Sequence, residues 1–168
     1  AAIDRRSNKL LLCRDRLGKK PLFIHHTGSR FIFASTLSAV AAVIDRSTPL
    51  DRCGVFEFLN HGYTLGRRTV FASIERLLPG EYQEFELGSS GLALRERVAY
   101  HKPSLHQVPL DLEFETAAEQ FLEKLDHAVT RRLVSDRPIG LFLSGGVDSS
   151  TICALTRPKL ADRDVHAF

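Results

Sequence analysis

The sequence predicts two unlike parts, an α+β part followed by an α/β part, and three observations carry that expectation. Over residues 1–100, short apolar runs of strand type are separated by turn chemistry. Residues 101–114, "HKPSLHQVPLDLEF", hold two prolines, two histidines and no period, which marks a linker. Residues 115–168 open with a long amphipathic pattern, then pass from an apolar run through two glycines into a second helical pattern, the order of a strand, a tight loop and a helix. These boundaries divide the chain into domains 1–100 and 115–168.

In the first part, "KLLLCR", "PLFIHH" and "RFIFAS" are strands, and "DRLGKK" and "TGSR" are turns suited to an antiparallel meander. "LSAVAAVI" is alanine-rich and reads as a short helix. "DRCGVFEFLNHG" puts Val55, Phe58 and Leu59 at helical spacing before Gly62, a C-cap. "LLPGEYQEFEL" sets a Pro-Gly turn before alternation at Tyr82, Phe85 and Leu87, and "LALRERVAY" follows "GSSG" as the second strand of a hairpin. In the second part, Thr116 three residues before Glu119 is a capping-box signature. Phe121, Leu122, Leu125, Val129 and Leu133 share one helix face. Arg131 and Arg132 fall in the last turns, where cations oppose the negative end of the helix dipole.

Composition narrows the function classes. The 168 residues are 43% hydrophobic, enough to bury a core, and the formal charge is only +3 with both signs interspersed, which argues against a nucleic-acid or anionic-membrane partner. No apolar run approaches the ~18 residues of a membrane span, and "AAIDRRSNKL" lacks the apolar core of a signal peptide, so the expected setting is the cytoplasm. Cys13, Cys53 and Cys153 are odd in number and form no C-x-x-C pair; they are expected to be reduced and mostly buried, with no disulfide or zinc site. The chain has no methionine and stops at "DVHAF", where a strand-type run has just begun, so it is expected to be an internal fragment of a longer protein.

The chemistry concentrates in "PIGLFLSGGVDSSTICAL". "IGLFL" has the character of a strand buried on both faces of a parallel sheet, and "SSTICAL" that of the helix after it. Gly145 and Gly146 can take backbone angles closed to other residues and leave room for an anion, while the helix start offers unpaired N–H groups and the positive dipole end. Ser144, Ser149 and Ser150 add hydroxyl donors, so phosphate is the natural guest. Asp148 would repel phosphate alone; Mg²⁺ bridging the two removes the conflict. Asp148 as a helix cap is the plainer reading, but it leaves the serines and glycines around it unexplained. Other motifs fail on spacing. A Walker A loop needs lysine where Val147 stands, no G-x-G-x-x-G occurs, a serine-hydrolase elbow needs glycine at Phe142, and Ser144 begins no S-x-x-K.

"SGGVDSS" resembles the pyrophosphate-binding loop of the ATP pyrophosphatase (PP-loop) superfamily. The upstream "LLLCRDRLGKKPLF" with "FIFAS" resembles the C-terminal part of a class II glutamine amidotransferase domain, and "LDRCGVFEFLNHGYTLGRRTVFASIERLLPGEY" the end of that domain in the glutamine-hydrolysing asparagine synthetase family. The resemblance implies an Ntn-type αββα glutaminase domain joined to a parallel-sheet PP-loop domain. It implies ATP and Mg²⁺ as cofactors, glutamine and aspartate as partners of the intact enzyme, and allows a homodimer. Ser144, Gly145, Gly146, Ser149 and Ser150 would hold phosphate, Asp148 the metal, and Phe142 or Leu143 would offer backbone to adenine. The family's glutaminase nucleophile is an N-terminal cysteine; residue 1 here is Ala1, and neither Cys13, inside a strand, nor Cys53 can replace it, so no catalytic residue is assigned in this chain. Thr36 follows "FAS" where glutamate is common, and Leu78 stands where a first proline is common. β-Lactam synthetases and lasso-peptide cyclases share parts of the layout, and a PP-loop tRNA-modifying enzyme or a non-catalytic pseudo-synthetase stays open as an alternative.

Two further groups have bland readings. Arg14, Arg16, Lys19 and Lys20 are interrupted by Asp15 and lack interleaved aromatics, the pattern of a solvated turn. His25, His26, His61, His101 and His106 have no metal-ligand spacing and are expected to be surface or half-buried side chains.

Overall fold

The computed structural model describes residues 1–27, 30–89, 91–103, 111–160 and 165–168, in two compact units, Ala1–His106 and Gln107–Phe168. Of the linker expected at 101–114, residues 104–110 lie outside the described residues.

The first unit contains β1 (Ala2–Asp4), β2 (Lys9–Cys13), β3 (Phe23–Thr27), β4 (Arg30–Ala34), α1 (Leu37–Ala41), α2 (Arg52–His61), β5 (Ile74–Arg76), β6 (Glu81–Gly88) and β7 (Gly91–Ala99). They form two antiparallel sheets of order β1-β2-β6-β7 and β4-β3-β5. The expected meander is therefore corrected, because β2 and β3 belong to different sheets. The turn between them explains why. Arg14 is half-buried and donates to three carbonyls, Lys20 O (2.9 Å), Leu77 O (2.7 Å) and Gly18 O (2.7 Å). The Asp15 carboxylate accepts from Lys19 N (2.9 Å) and Leu17 N (3.2 Å), and these N–H groups, Lys19 first, hold its pKa below the usual carboxylate range. The turn is thus a fixed crossing between sheets; Asp15, Arg16, Lys19 and Lys20 are exposed, as a solvated turn requires, and Arg14 alone among its charged residues is half-buried.

Alternation decides what each sheet buries. Leu10 and Leu12 of β2, Phe85 of β6 and Ile24 of β3 meet Leu77 between the two sheets. On the other side of the second sheet, Val40, Ile44 and Ile74 pack with Phe23, Ile32 and Phe71, so α1 covers that face. The unit is accordingly layered helix, sheet, sheet. Burying each of these side chains contributes about 1.5–3 kcal/mol. On β6 the inward residues are Glu81, Gln83 and Phe85; Tyr82 has the opposite parity and Leu87 is 55% exposed, which corrects the alternation expected there. The β6–β7 hairpin forms as expected, with a bulge at Glu84/Phe85.

Helix α2 is capped by Asp51, whose carboxylate accepts from Gly54 N (3.0 Å), and ends at Gly62 in left-handed backbone (φ 78°). Its expected apolar face is largely uncovered: Phe58 and Leu59 are exposed. Gly54 is the buried residue, and a Cβ there would overlap the Thr69 carbonyl oxygen. Arg68 adds ion pairs to Glu57 (2.5 Å) and Asp51 (3.3 Å). Close backbone approach and polar contacts hold α2 in place of an apolar stripe. Cys13 and Cys53 are exposed and Cys153 half-buried, against the expectation of buried thiols, because Cys13 has the outward parity of β2 and Cys53 sits on the open side of α2.

The second unit contains α3 (Phe114–Thr130), β8 (Gly140–Leu141), α4 (Val147–Thr156), a 3-10 turn (Arg157–Leu160) and β9 (His166–Ala167). Helix α3 begins before the expected capping box. Glu113 is its N-cap with no side-chain bond, so Thr116 and Glu119 lie inside the helix. Val129 is buried and Leu125 and Leu133 half-buried, but Phe121 and Leu122 are exposed, so only the C-terminal end of the stripe is covered. Arg131 is the C-cap and Arg132 Nη1 donates to Ala128 O (2.9 Å), as expected for cations at that end. Strands β8 and β9 pair in parallel, Gly140 with His166 and Leu141 with Ala167. The run "IGLFL" is strand only over Gly140–Leu141, and Phe142 is 87% exposed, which corrects the two-face burial expected: among the described residues β8 has one neighbouring strand and nothing covers Phe142. Among the described residues no helix is long and apolar enough to cross a membrane.

Candidate functional site

The loop from Phe142 to Gly146 leaves the end of β8 and enters α4. Leu143 N donates to Phe168 O (2.7 Å), and Phe168 N to Leu141 O (2.9 Å), which extends the β8–β9 pairing up to the loop. Gly145 then takes φ +78°, a left-handed conformation that turns the chain into the helix with no steric cost for glycine. Gly146 is the N-cap, in ordinary extended backbone (φ −76°, ψ 160°). Its situation is unlike that of Gly145: an added Cβ would meet only Ser144 Oγ, at 3.6 Å. Neither backbone nor neighbours demand glycine there, and the open space lies in front of the helix start.

Ser150 N donates to Gly146 O (3.1 Å), the first bond of α4, while among the described residues the N–H groups of Val147, Asp148 and Ser149 meet no acceptor. They point from the positive end of a ten-residue helix. Ser149 Oγ donates to Gly146 O (3.1 Å) and lies 3.1 Å from Ser144 Oγ. The structure thus brings Ser144, Gly146 and Ser149 into direct contact, with Gly145, Asp148 and Ser150 beside them on the same turn. Asp148 is in the first turn and not at the N-cap, so capping does not account for it. Its carboxylate is exposed and, among the described residues, has no cationic partner. Of the two residues expected near adenine, Leu143 has its N–H committed to Phe168, and Phe142 projects into solvent.

A model of the glutamine amidotransferase domain matches residues 1–94, and a model of asparagine synthase matches residues 120–168. The chain belongs to the glutamine-hydrolysing asparagine synthetase family. It is 33% identical over 156 residues to asparagine synthetase (glutamine-hydrolyzing) 3 of Bacillus subtilis, covering 92% of this chain and 24% of that relative. It is 28% identical over 167 residues to putative asparagine synthetase (glutamine-hydrolyzing) 2 of Methanocaldococcus jannaschii, covering 98% of this chain and 32% of the relative. The human asparagine synthetase (glutamine-hydrolyzing) is 28% identical over 177 residues, with 98% and 28% covered. The chain therefore spans from about a quarter to about a third of the length of these curated relatives.

In the amidotransferase part the structure reveals a polar cluster that the sequence reading did not single out. Glu81, 1% exposed, takes Arg67 Nη1 at 2.8 Å and Leu78 N at 3.3 Å. Arg97 reaches Glu75 (2.8 Å) and, through Nε and Nη2, the amide oxygen of the fully buried Gln83 (3.1 Å each). Arg67 and Glu75 also line a cavity of about 520 Å³ with His26, Thr69 and Ser73. The available signal was parity: Glu81 and Gln83 share the face of Phe85, so a strand that buries Phe85 buries them too. His25 is likewise buried, with Nδ1 3.0 Å from Ser73 O, which corrects the surface or half-buried position expected of it. Among the described residues no three His, Cys, Asp or Glu side chains come together as a metal site.

Proposed function

We propose that this chain is part of an ATP-dependent asparagine synthetase that adenylates a carboxylate, that of aspartate, and amidates it with ammonia drawn from glutamine. The observation that carries the reading is the loop before α4. Gly146 leaves open a space that a side chain could fill without strain, and three partnerless N–H groups border it, as a cradle for a polyphosphate requires. In this reading residues 115–168 belong to a PP-loop domain, supported by the parallel β8–β9 pair and the strand-loop-helix order. Residues 1–100 belong to an Ntn-type αββα glutaminase domain, supported by the helix-sheet-sheet layering, and 101–114 link the two. The reading also includes a cytoplasmic setting and a homodimer.

The residues then have defined tasks. Ser144, Gly145, Gly146, Ser149 and Ser150 hold the β and γ phosphates, and backbone at Phe142 and Leu143 faces the adenine. The aspartate carboxylate attacks the α-phosphorus, the bond to pyrophosphate breaks, and the loop N–H groups take up the charge that develops on the leaving oxygen. Ammonia then attacks the acyl carbon of the aspartyl adenylate, loses a proton, and AMP departs with the bonding electrons. Asp148 fits Mg²⁺, because an exposed carboxylate without a protein cation beside a phosphate cradle is the donor that phosphate-bound magnesium uses. The metal, when bound, would supply charge neutralisation between carboxylate and phosphates.

Titrating Mg-pyrophosphate into the intact protein by calorimetry tests the assignment. Asp148→Asn removes the charged contact and should weaken magnesium-dependent binding by about ten- to hundredfold, a loss of ~1–3 kcal/mol, while magnesium-free binding is unharmed. Equal or tighter magnesium-dependent binding by the variant would sink the role given to Asp148.

A further inference from the structure

Helix α2 is apolar on the side turned away from its seat. Gly54 is pressed against the Thr69 backbone, and Arg52, Phe56 and Leu59, at i, i+4 and i+7, share the opposite face. Phe56 is 68% exposed and Leu59 76% exposed, and Arg52 is exposed with no ion-pair partner among the described residues. A helix face turned to solvent is ordinarily polar, so a phenylalanine and a leucine one turn apart there mark an interaction surface. Leu50 and Tyr63, both exposed, stand just before the N-cap and just after the C-cap and lengthen the patch at its two ends. The carbonyl end of the helix is open as well. Gly62 N donates back to Phe58 O, while among the described residues the carbonyls of Leu59, Asn60 and His61 accept no hydrogen bond.

We infer that this face of α2 docks a second copy of the chain, the two α2 helices lying antiparallel across a two-fold axis. The spacing of the patch is self-complementary. With the axis midway between Phe56 and Leu59, each Phe56 meets the partner's Leu59, and each Arg52 reaches the carbonyl end of the partner's helix. There its guanidinium finds open acceptors and the negative end of the helix dipole. A parallel pair would set Arg52 against Arg52 and leave both carbonyl ends unmet, so the charges select the antiparallel arrangement. A two-fold contact uses the same patch on both subunits, and this patch supplies both halves of it. The inference rests on the homodimer included in the reading above and names its interface.

Sedimentation velocity of the intact protein over a concentration series tests this, with thermal melts to verify that each variant is folded. Wild type should sediment as a dimer. Phe56→Lys and Leu59→Glu each bury a charge against an apolar residue of the partner twice over, and should each raise the dissociation constant about a hundredfold or more. An equal mixture of the two variants should re-form a dimer. Across an antiparallel axis the new ammonium of one variant faces the new carboxylate of the other, and the second Phe56–Leu59 contact is native. A mixture that stays monomeric overturns the antiparallel arrangement, and a dimer that survives either single variant overturns the α2 interface while leaving the homodimer standing. A wild-type protein that is monomeric throughout, with this face covered by another part of its own chain or by a different protein, overturns the inference and the homodimer together. None of these outcomes bears on the phosphate-loop reading, which the pyrophosphate titration decides.

Discussion

Gly145 and Gly146 are neighbours held as glycine by different forces. Gly145 is needed by the fold, because at φ +78° any Cβ is strained. Gly146 is not, since its angles suit every residue and its surroundings are open. Gly145→Ala should thus lower stability by about 1 kcal/mol, whereas Gly146→Ala should leave the melting temperature unchanged and weaken pyrophosphate binding. Parallel melts and titrations check both; a destabilised but normally binding Gly146→Ala would contradict the cradle. The turn into α4 was legible in the sequence because it is local: Gly145 supplies the left-handed residue and the helix begins two positions later. The Ser144–Ser149 contact was not legible, since it depends on the rotamers the turn imposes. Nor was the Glu81–Arg67 pair, which joins residues 14 positions apart through tertiary placement.

Elements were read well where the pattern repeats and poorly where a single contact decides. Strands β2, β3, β4, β6 and β7, and helices α1 to α4, all overlap the stretches read as strands and helices, though the face buried on β6 and the start of α3 differ. Sheet membership did not follow from the pattern, because the crossing from β2 to β3 is set by Arg14 and Asp15 grasping backbone as far away as Leu77. Helix α2 is the sharpest case. Its apolar spacing identified a helix, yet the residue that seats it is Gly54, pressed against Thr69 O. Gly54→Ala should therefore cost about 3 kcal/mol by forcing α2 off the Thr69 loop, despite alanine's higher helix propensity. Chemical denaturation of the two proteins measures this, and an unchanged or raised midpoint would show that α2 is seated by its apolar residues after all.

At the scale of the molecule, the two units match two different family models. The first is a helix-sheet-sheet body matched by the glutamine amidotransferase model, and the second presents the glycine-serine loop and the start of α4 within the stretch matched by asparagine synthase. Composition alone left the chain as mildly charged with enough apolar residues for a core, and the family resemblance was carried by the motifs of the two halves in that order. The central claim is that ATP is cut between its α and β phosphates to activate aspartate, and the identity of the nucleotide product tests it most directly. The intact protein is supplied with ATP, Mg²⁺, aspartate and either glutamine or ammonium, and the products are separated by ion-exchange chromatography with and without aspartate. The account expects AMP and pyrophosphate in equal amounts, formed together with asparagine and only when aspartate is present; ADP and orthophosphate, or AMP formation indifferent to aspartate, would contradict it.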